Sequence, residues 1–152
     1  MAIYVLDTSA LVKYYHAESG EQTVVALIED PGNRILVSHL TYVEWHSVFA
    51  RHTRTGVISA DEFRLLRGRF YADLQTRKLQ VIPTQGAHLQ RAARLLSTHA
   101  LTQNLRTLDA LQLAVALDLR QRIPFDHFVC ADASFCRIAR LEGLSVINPE
   151  TA

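Results

Sequence analysis

Four acidic residues stand out because each lies beside apolar sequence rather than on a polar surface. Asp7 ends the apolar run IYVL, and Asp132 follows the apolar run FVCA. Glu44 lies in TYVEWHSVF, and Asp109 lies in LRTLDALQLAVAL, where apolar residues surround a predicted helix on all sides. A carboxylate in such surroundings is taken out of water, which costs free energy unless a partner compensates for its charge. These four residues are therefore the first candidates for chemistry.

Carboxylates brought together at one place need a counter-charge. Two of them about 4 Å apart repel by about 4 kcal/mol at an effective dielectric constant of about 20, and a divalent cation reverses that cost. Oxygen-only ligands favour the hard cations Mg²⁺ and Mn²⁺ over zinc. Such an ion activates water and clamps a phosphate, which is the chemistry of phosphodiester hydrolysis. The pattern predicts that Asp7, Glu44, Asp109 and Asp132 bind metal and are catalytic.

Each acid also has a purely structural explanation as part of a helix cap. Glu44 and Asp109 have capping-box spacing with a residue three positions away, Thr41 and Gln112 respectively. The other two acids each precede a predicted helix, which they could cap. Caps explain each residue singly, but Ser, Thr or Asn would serve equally well, so they do not explain why all four residues are carboxylates.

The elements that would position these acids alternate between short apolar strands and helices. The predicted strands cover residues 3–6, 35–38, 79–82, 127–131 and 145–148, and the predicted helices cover 9–16, 19–29, 41–54, 59–75, the segment from Pro83 to 99, 108–121 and 133–141. Two capping boxes, Ser19 with Gln22 and Ser59 with Glu62, support helix starts. The alternation predicts an α/β fold, a three-layer α/β/α sandwich with a central parallel sheet of four to five short strands. Ligands bind such sheets beyond the carboxyl ends of the strands.

Composition predicts a single globular domain over residues 1–152. The chain is 49% hydrophobic and 20% charged, which excludes a disordered polymer. No apolar run approaches the roughly 18 residues of a membrane span, and the N-terminus lacks signal-peptide features. We therefore expect a cytoplasmic protein with no membrane association. In that reducing compartment, Cys130 and Cys136 are expected to be free and buried.

The sequence resembles the PIN domain, and among PIN domains the VapC-type toxins of bacterial type II toxin–antitoxin pairs. The resemblance rests on YVLDTSALVKYY, TYVEWHSVFAR, LRTLDALQLAVAL and FVCADASFCRIARLEGLSVINP, which are spread over nearly the whole chain. It implies a PIN-like fold and a metal-dependent endoribonuclease that uses Mg²⁺ or Mn²⁺ on an RNA substrate. It further implies a homodimer and a cognate antitoxin. Asp7 and Asp109 match the family's direct metal ligands, Glu44 its glutamate, and Asp132 the acid that completes the site.

Two positions depart from the pattern of the family. Relatives often have Thr or Ser where this chain has Cys130, and a thiol is a poorer hydrogen-bonding partner for positioning Asp132. Relatives often have His where this chain has Gln112, which we interpret as a modest change because that residue is not one of the four acids.

Candidates for contacting the RNA backbone are the basic residues Lys13, Arg51 and Arg54. The adjacent residues Tyr14 and Tyr15 could stack on bases or simply pack inside the protein.

Three other functions remain open at this stage. The first is a catalytically weak or inactive PIN-like module that binds RNA or a partner. The second is a phosphate-handling α/β phosphatase or receiver domain, although the phosphatase pattern has a second Asp where this chain has Ser9, and no Lys follows Lys78 as a receiver would need. The third is cleavage of DNA, because the acids do not distinguish ribose from deoxyribose.

Overall fold

The computed structural model describes residues 1–152 and contains five strands and seven helices. The strands are β1 (Ile3–Leu6), β2 (Arg34–Ser38), β3 (Leu79–Ile82), β4 (His127–Val129) and β5 (Val146–Ile147). The helices are α1 (Thr8–Tyr15), α2 (Glu21–Glu29), α3 (His39–Arg54), α4 (Ala60–Gln75), α5 (Gly86–His99), α6 (Thr107–Arg122) and α7 (Ala133–Leu141). None of these helices combines the length and the apolar composition needed to cross a lipid bilayer.

All five strands are parallel and lie in the order β3-β2-β1-β4-β5. At the carboxyl end of the central strand, Leu6 is in register with Val37 of β2 and with Val129 of β4. From β1 the chain forms β2 and then β3 on one side of the sheet, and it then returns to form β4 and β5 on the other side of β1. The crevice beside such a reversal, at the carboxyl ends of the strands, is where open parallel sheets bind ligands.

Helices cover both faces of the sheet. Successive side chains of a strand point to opposite faces, so one strand contributes to two cores. Val5 and Leu36 pack in a core with α5, α6 and α7. Leu6, Ile35 and Val37 pack in a second core with α1, α2, α3 and α4. The two cores confirm the predicted three-layer α/β/α sandwich, and the five parallel strands confirm the predicted sheet.

The predicted starts and ends of the elements agree with the structure to within two residues, except that α5 begins at Gly86, three residues after the predicted Pro83. Only some of the predicted caps are correct. The capping box of Ser59 and Glu62 is confirmed at the start of α4. The box of Ser19 and Gln22 is wrong, because α2 begins after Gly20, whose φ of +84° is left-handed and which makes no side-chain cap. Local sequence could not show that this turn packs against the C-terminal segment of the chain.

The capping boxes predicted to begin at Thr41 and Asp109 are also wrong. Helix α3 starts directly after β2, so that Ser38 ends the strand and caps the helix by accepting a hydrogen bond of 3.2 Å from the Thr41 N–H. Helix α6 starts after Arg106, which places Asp109 in its first turn rather than at its cap. Both helices therefore begin earlier than the apolar pattern indicated.

The two cysteines are buried, as predicted, but they are not free. Cys130 follows β4 and Cys136 lies in α7, and they are bonded as a disulfide with a Cα–Cα distance of 6.0 Å. The prediction of free thiols is wrong because it relied on the expected compartment, whereas the return of α7 over the end of β4 brings the two side chains together.

The tight turn before α2 yields a test of the packing against the C-terminal segment. A Cβ atom at Gly20 would lie 2.7 Å from the carbonyl carbon and oxygen of Pro149, whereas Gly56, also left-handed at φ +78°, has no atom within 4 Å of such a Cβ. Gly20→Ala should therefore lower the free energy of unfolding by at least about 1 kcal/mol more than Gly56→Ala, which bears only the backbone cost. Urea denaturation followed by circular dichroism measures both variants. Equal losses of unfolding free energy would show that the turn at Gly20 accommodates the added methyl group without an extra cost.

Candidate active site

A cavity of about 710 Å³ lies at the carboxyl ends of β1 and β4. Its walls come from the starts of α1 and α6, from α3, and from the loop between β4 and α7. All four acids selected from the sequence line it, namely Asp7, Glu44, Asp109 and Asp132. No three carboxylate, imidazole or thiol groups converge in a set that could hold one metal ion. The fold therefore brings the four acids to one cavity, but their side chains do not meet at a single point.

Asp7 is the most deeply buried of the four acids, with 5% of its surface exposed. It caps α1, because its Oδ1 atom accepts a hydrogen bond of 3.0 Å from the Ala10 N–H, and the Ser9 hydroxyl lies 2.8 Å from both carboxylate oxygens. The pKa of Asp7 is raised to about 7, mainly by burial and also by the negative charges of Asp109 and Glu44, while the two hydrogen bonds act to lower it. The cap and the candidate chemistry thus belong to the same carboxylate.

Ser9 connects the two central strand ends. Its Oγ atom donates towards Asp7 and accepts a hydrogen bond of 2.9 Å from the Ala131 N–H, next to Asp132. The position at which a phosphatase would have a second Asp is therefore occupied by a hydroxyl that joins β1 to the loop after β4.

Gln112 holds Glu44 in place, although the sequence suggested that this residue was a modest departure. Its buried Nε2 group lies 3.1 Å from Glu44 Oε1, 2.7 Å from Thr41 Oγ1 and 3.1 Å from Thr8 Oγ1. Its Oε1 atom accepts a hydrogen bond of 2.6 Å from the Ser38 hydroxyl. This amide joins α6 to the starts of α1 and α3. A single polar residue within the apolar run ALQLAVAL was the signal that could have identified it.

The partly buried Glu44 carboxyl feels opposing influences. Burial raises its pKa, while hydrogen bonds from Gln112 and Thr8 lower it. The neighbouring charge of Asp109 raises the pKa of Glu44, and the guanidinium of Arg106 lowers it. Glu44 is thus electrostatically linked to the α6 end of the cavity.

Asp109 and Asp132 share Arg106, which sequence reasoning missed. The Arg106 Nε–H donates to Asp109 Oδ2 over 3.1 Å, and the Arg106 Nη2 atom lies 3.9 Å from Asp132 Oδ2. The hydrogen bond to Asp109 is the main cause of the raised pKa of Arg106, to which the charges of Asp132 and Glu44 also contribute. A basic residue three positions before Asp109 was the available signal.

The Asp132 carboxylate is oriented by the start of α7. Asp132 caps α7, and its Oδ1 atom accepts a hydrogen bond of 2.9 Å from the Phe135 N–H. Cys130 is fully buried in its disulfide and does not line the cavity. The prediction concerned a free thiol at this position, whereas the sulfur of Cys130 is bonded to Cys136 of α7, the helix that Asp132 caps.

Charge in the cavity is unbalanced towards negative. The lining carboxylates are Asp7, Glu18, Glu44, Asp109, Asp132 and Glu150, and the lining cations are Lys13, Arg51 and Arg106. Six carboxylates against three cations repel a polyanion such as a nucleic acid strand unless further positive charge is present.

The residues expected to contact an RNA backbone differ in their placement. Lys13 and Arg51 line the cavity, whereas Arg54 does not. The buried Lys13 ammonium lies 2.7 Å from a Glu150 carboxylate oxygen. Tyr14 and Tyr15 are 4% and 5% exposed, so they pack in the core and are not free to stack on bases.

Residues 4–141 match the family model of the PIN domain. With the parallel sheet and the cavity beyond β1 and β4 in place, the chain belongs to the PIN domain family. No curated protein is significantly similar to it in sequence.

Several solved structures share the fold at low sequence identity. The sarcin-ricin loop cleaving toxin VapC20 from Mycobacterium tuberculosis is 15% identical, with a TM-score of 0.68 over 97% of this chain and 100% of that chain. FitAcB from Neisseria gonorrhoeae is 14% identical, with a TM-score of 0.67 over 96% and 97%. VapBC2 from Rickettsia felis, bound to a fragment of its promoter DNA, is 16% identical, with a TM-score of 0.65 over 96% and 98%.

The amide of Gln112 can be tested by its removal. Gln112→Leu keeps a side chain of similar size but leaves the Ser38 hydroxyl and Glu44 without this partner in a buried place. The free energy of unfolding should fall by about 1–3 kcal/mol. Gln90→Leu, on the exposed face of α5, is the matched control and should leave stability nearly unchanged. Guanidinium denaturation measures both, and equal stabilities would contradict the role assigned to Gln112.

The raised pKa of Asp7 makes the metal-free protein sensitive to pH. The folded pKa of about 7 exceeds the ordinary aspartate pKa of 3.8, so the unfolded chain loses this proton first and stability falls as pH rises through that window. Asp7→Asn retains an oxygen that can cap α1 but carries no charge. At pH 8 without metal, the variant should be more stable than the wild type by about 2–4 kcal/mol. At pH 4 the two proteins should unfold alike in thermal melts, whereas a variant less stable at pH 8 would contradict the assignment.

Proposed function

We propose that this protein is a metal-dependent endoribonuclease and that Asp7, Glu44, Asp109 and Asp132 are its catalytic residues. The observation that carries the proposal is that four acids from distant segments of a PIN domain chain line one cavity at the reversal point of the sheet. A cavity that carries an excess of carboxylates suits a phosphodiester substrate only with additional positive charge, which a divalent cation supplies.

The donor atoms fit Mg²⁺ or Mn²⁺. The four side chains offer only carboxylate oxygens, which hard cations prefer. Because no three of them converge, we assign Asp7 and Asp109 as direct ligands, and Glu44 and Asp132 as ligands through water or to a second ion. When bound, such an ion supplies Lewis-acid polarisation of the phosphate and activation of a water.

The chain's own residues supply the remaining parts of the reaction. Gln112 fixes the Glu44 carboxylate, and the cap of α7 fixes that of Asp132, so that either can orient the attacking water and accept its proton. The water oxygen bonds to phosphorus as the bond from phosphorus to the 3′ oxygen breaks, and the departing 3′ oxygen takes up a proton from solvent, which yields a 5′-phosphate and a 3′-hydroxyl. Arg51, on the cavity wall, positions the RNA backbone without reading its sequence, whereas Lys13 is already paired with Glu18 and Glu150.

We further propose that residues 1–152 act as a single domain and as the toxin of a type II toxin–antitoxin pair in the cytoplasm. The support is the shared fold with VapC20, described as a toxin, and with VapBC2 and FitAcB. A cognate antitoxin and a homodimer follow from the same likeness. The test is to look for a small open reading frame next to the gene of this protein and to co-express its product, which should bind this protein and inhibit RNA cleavage.

Removal of single carboxylates tests the nuclease. Asp7→Asn and Asp109→Asn should each lower the rate of RNA cleavage by roughly 100-fold or more, because each removes a direct ligand of the ion. Asp61→Asn is the matched control, since that carboxylate is exposed at the start of α4 and lies outside the cavity. Cleavage of fluorescently labelled RNA and DNA is measured with Mg²⁺, with Mn²⁺ and with EDTA.

Two of the alternative functions, the inactive binding module and the cleavage of DNA, have their own outcome in this experiment. Cleavage that survives EDTA, or an Asp7→Asn variant as fast as the wild type, would overturn the metal-dependent site. Metal and RNA binding without cleavage would favour the inactive binding module. Faster cleavage of DNA than of RNA would redirect the substrate class.

A further inference from the structure

Arg106 is the one cation of the cavity that contacts two of the proposed metal-binding carboxylates. Its Nε atom lies 3.1 Å from Asp109 Oδ2, and its Nη2 atom lies 3.9 Å from Asp132 Oδ2. Lys13 is instead paired with Glu18 and Glu150. Arg106 therefore supplies the positive charge at the α6 and α7 side of the cavity.

We propose that Arg106 is a positioning residue that holds Asp109 and Asp132 in the metal-free protein and competes with the divalent ion for them. The inference rests on the proposed function, because it takes Asp109 and Asp132 to be the residues that serve the ion. It adds a residue of this chain that sets how readily the ion enters.

The two cations cannot both occupy the same carboxylate at full strength. An ion bound at Asp109 places two positive charges within a few ångströms of the guanidinium, and like charges at that distance repel. The hydrogen bond from Nε also occupies Oδ2, one of the two oxygens that Asp109 could offer. Binding of the ion is therefore opposed as long as the guanidinium stays in place.

Arg106 is able to leave at low cost. Its side chain is 68% exposed, so the charge returns to water when the ion pair opens. The Arg106 backbone N–H also points to Asp109 Oδ2, at 3.4 Å, and this contact belongs to the helix start rather than to the mobile side chain. Asp109 is thus still oriented by the first turn of α6 after the guanidinium has left.

The other two acids have partners of their own and do not depend on Arg106 for them. Asp7 accepts hydrogen bonds from Ser9 and Ala10, and Glu44 accepts one from Gln112. Competition is therefore confined to the Asp109 and Asp132 side of the cavity.

Removing the guanidinium should have two opposite effects. Arg106→Gln should bind Mn²⁺ more tightly, by roughly two- to fivefold, because exposed ion pairs of this kind are weak. The same variant should melt roughly 1–4 °C lower without metal, because Asp109 and Asp132 lose their counter-charge. A merely structural role would lower the melting temperature and leave the metal affinity unchanged or weaker.

The experiment is isothermal titration of the full chain with Mn²⁺, combined with thermal melts of the metal-free protein. Arg106→Lys keeps a positive charge at the site and should stay close to the wild-type affinity. Arg51→Gln is the matched control, since it removes a guanidinium that lines the same cavity but forms no ion pair with the four acids, and its metal affinity should change less than that of Arg106→Gln.

The outcomes separate this inference from the proposed function. Wild-type binding of Mn²⁺ with equal or weaker binding by Arg106→Gln would overturn the competition and leave the nuclease proposal standing. An equal gain in affinity for Arg51→Gln would also overturn the competition, because the gain would then come from the overall charge of the cavity rather than from the contacts of Arg106. No binding of Mn²⁺ by any of the four proteins would overturn both.

Discussion

The burial of the Asp7 carboxylate at the end of the central strand is the constraint on which the candidate site depends. Parallel order in the sheet brings the carboxyl ends of β1 and β4 side by side, so the residues that follow them share a poorly hydrated crevice. A carboxylate there loses its hydration, which raises the pKa of Asp7 to about 7. Any further acid delivered to the same crevice adds repulsion, so each one needs a partner.

The partners come from different parts of the chain and differ in chemistry. Asp7 relies on a hydroxyl and a backbone N–H, Glu44 on the amide of Gln112, and Asp109 on the guanidinium of Arg106. Neutral donors hold Asp7 and Glu44, whereas the exposed guanidinium of Arg106 serves Asp109 and Asp132. This division allows a stable fold with four acids around one cavity and leaves their oxygens available to a ligand.

Helix capping and the proposed metal chemistry are compatible uses of the same side chains. Asp7 and Asp132 each use one oxygen to accept a hydrogen bond from the first turn of the following helix. A cap fixes the side-chain direction, because the helix start is itself fixed by packing against the sheet. The structural interpretation and the functional one, which looked like alternatives in the sequence, are therefore both compatible with these two positions.

The sequence by itself determined the fold class, the order of elements, the family, and the choice of four acids that line one cavity. Apolar runs and helical periodicity are local features, so they can be recognised in the sequence without knowledge of the rest of the fold. Only the tertiary structure decided the starts of α2, α3 and α6, the disulfide of Cys130 and Cys136, and the roles of Gln112 and Arg106. The disulfide and the two residue roles depend on segments that are distant in sequence and meet only in the folded protein. The helix starts are fixed by packing. The local sequence pattern contains no information on either.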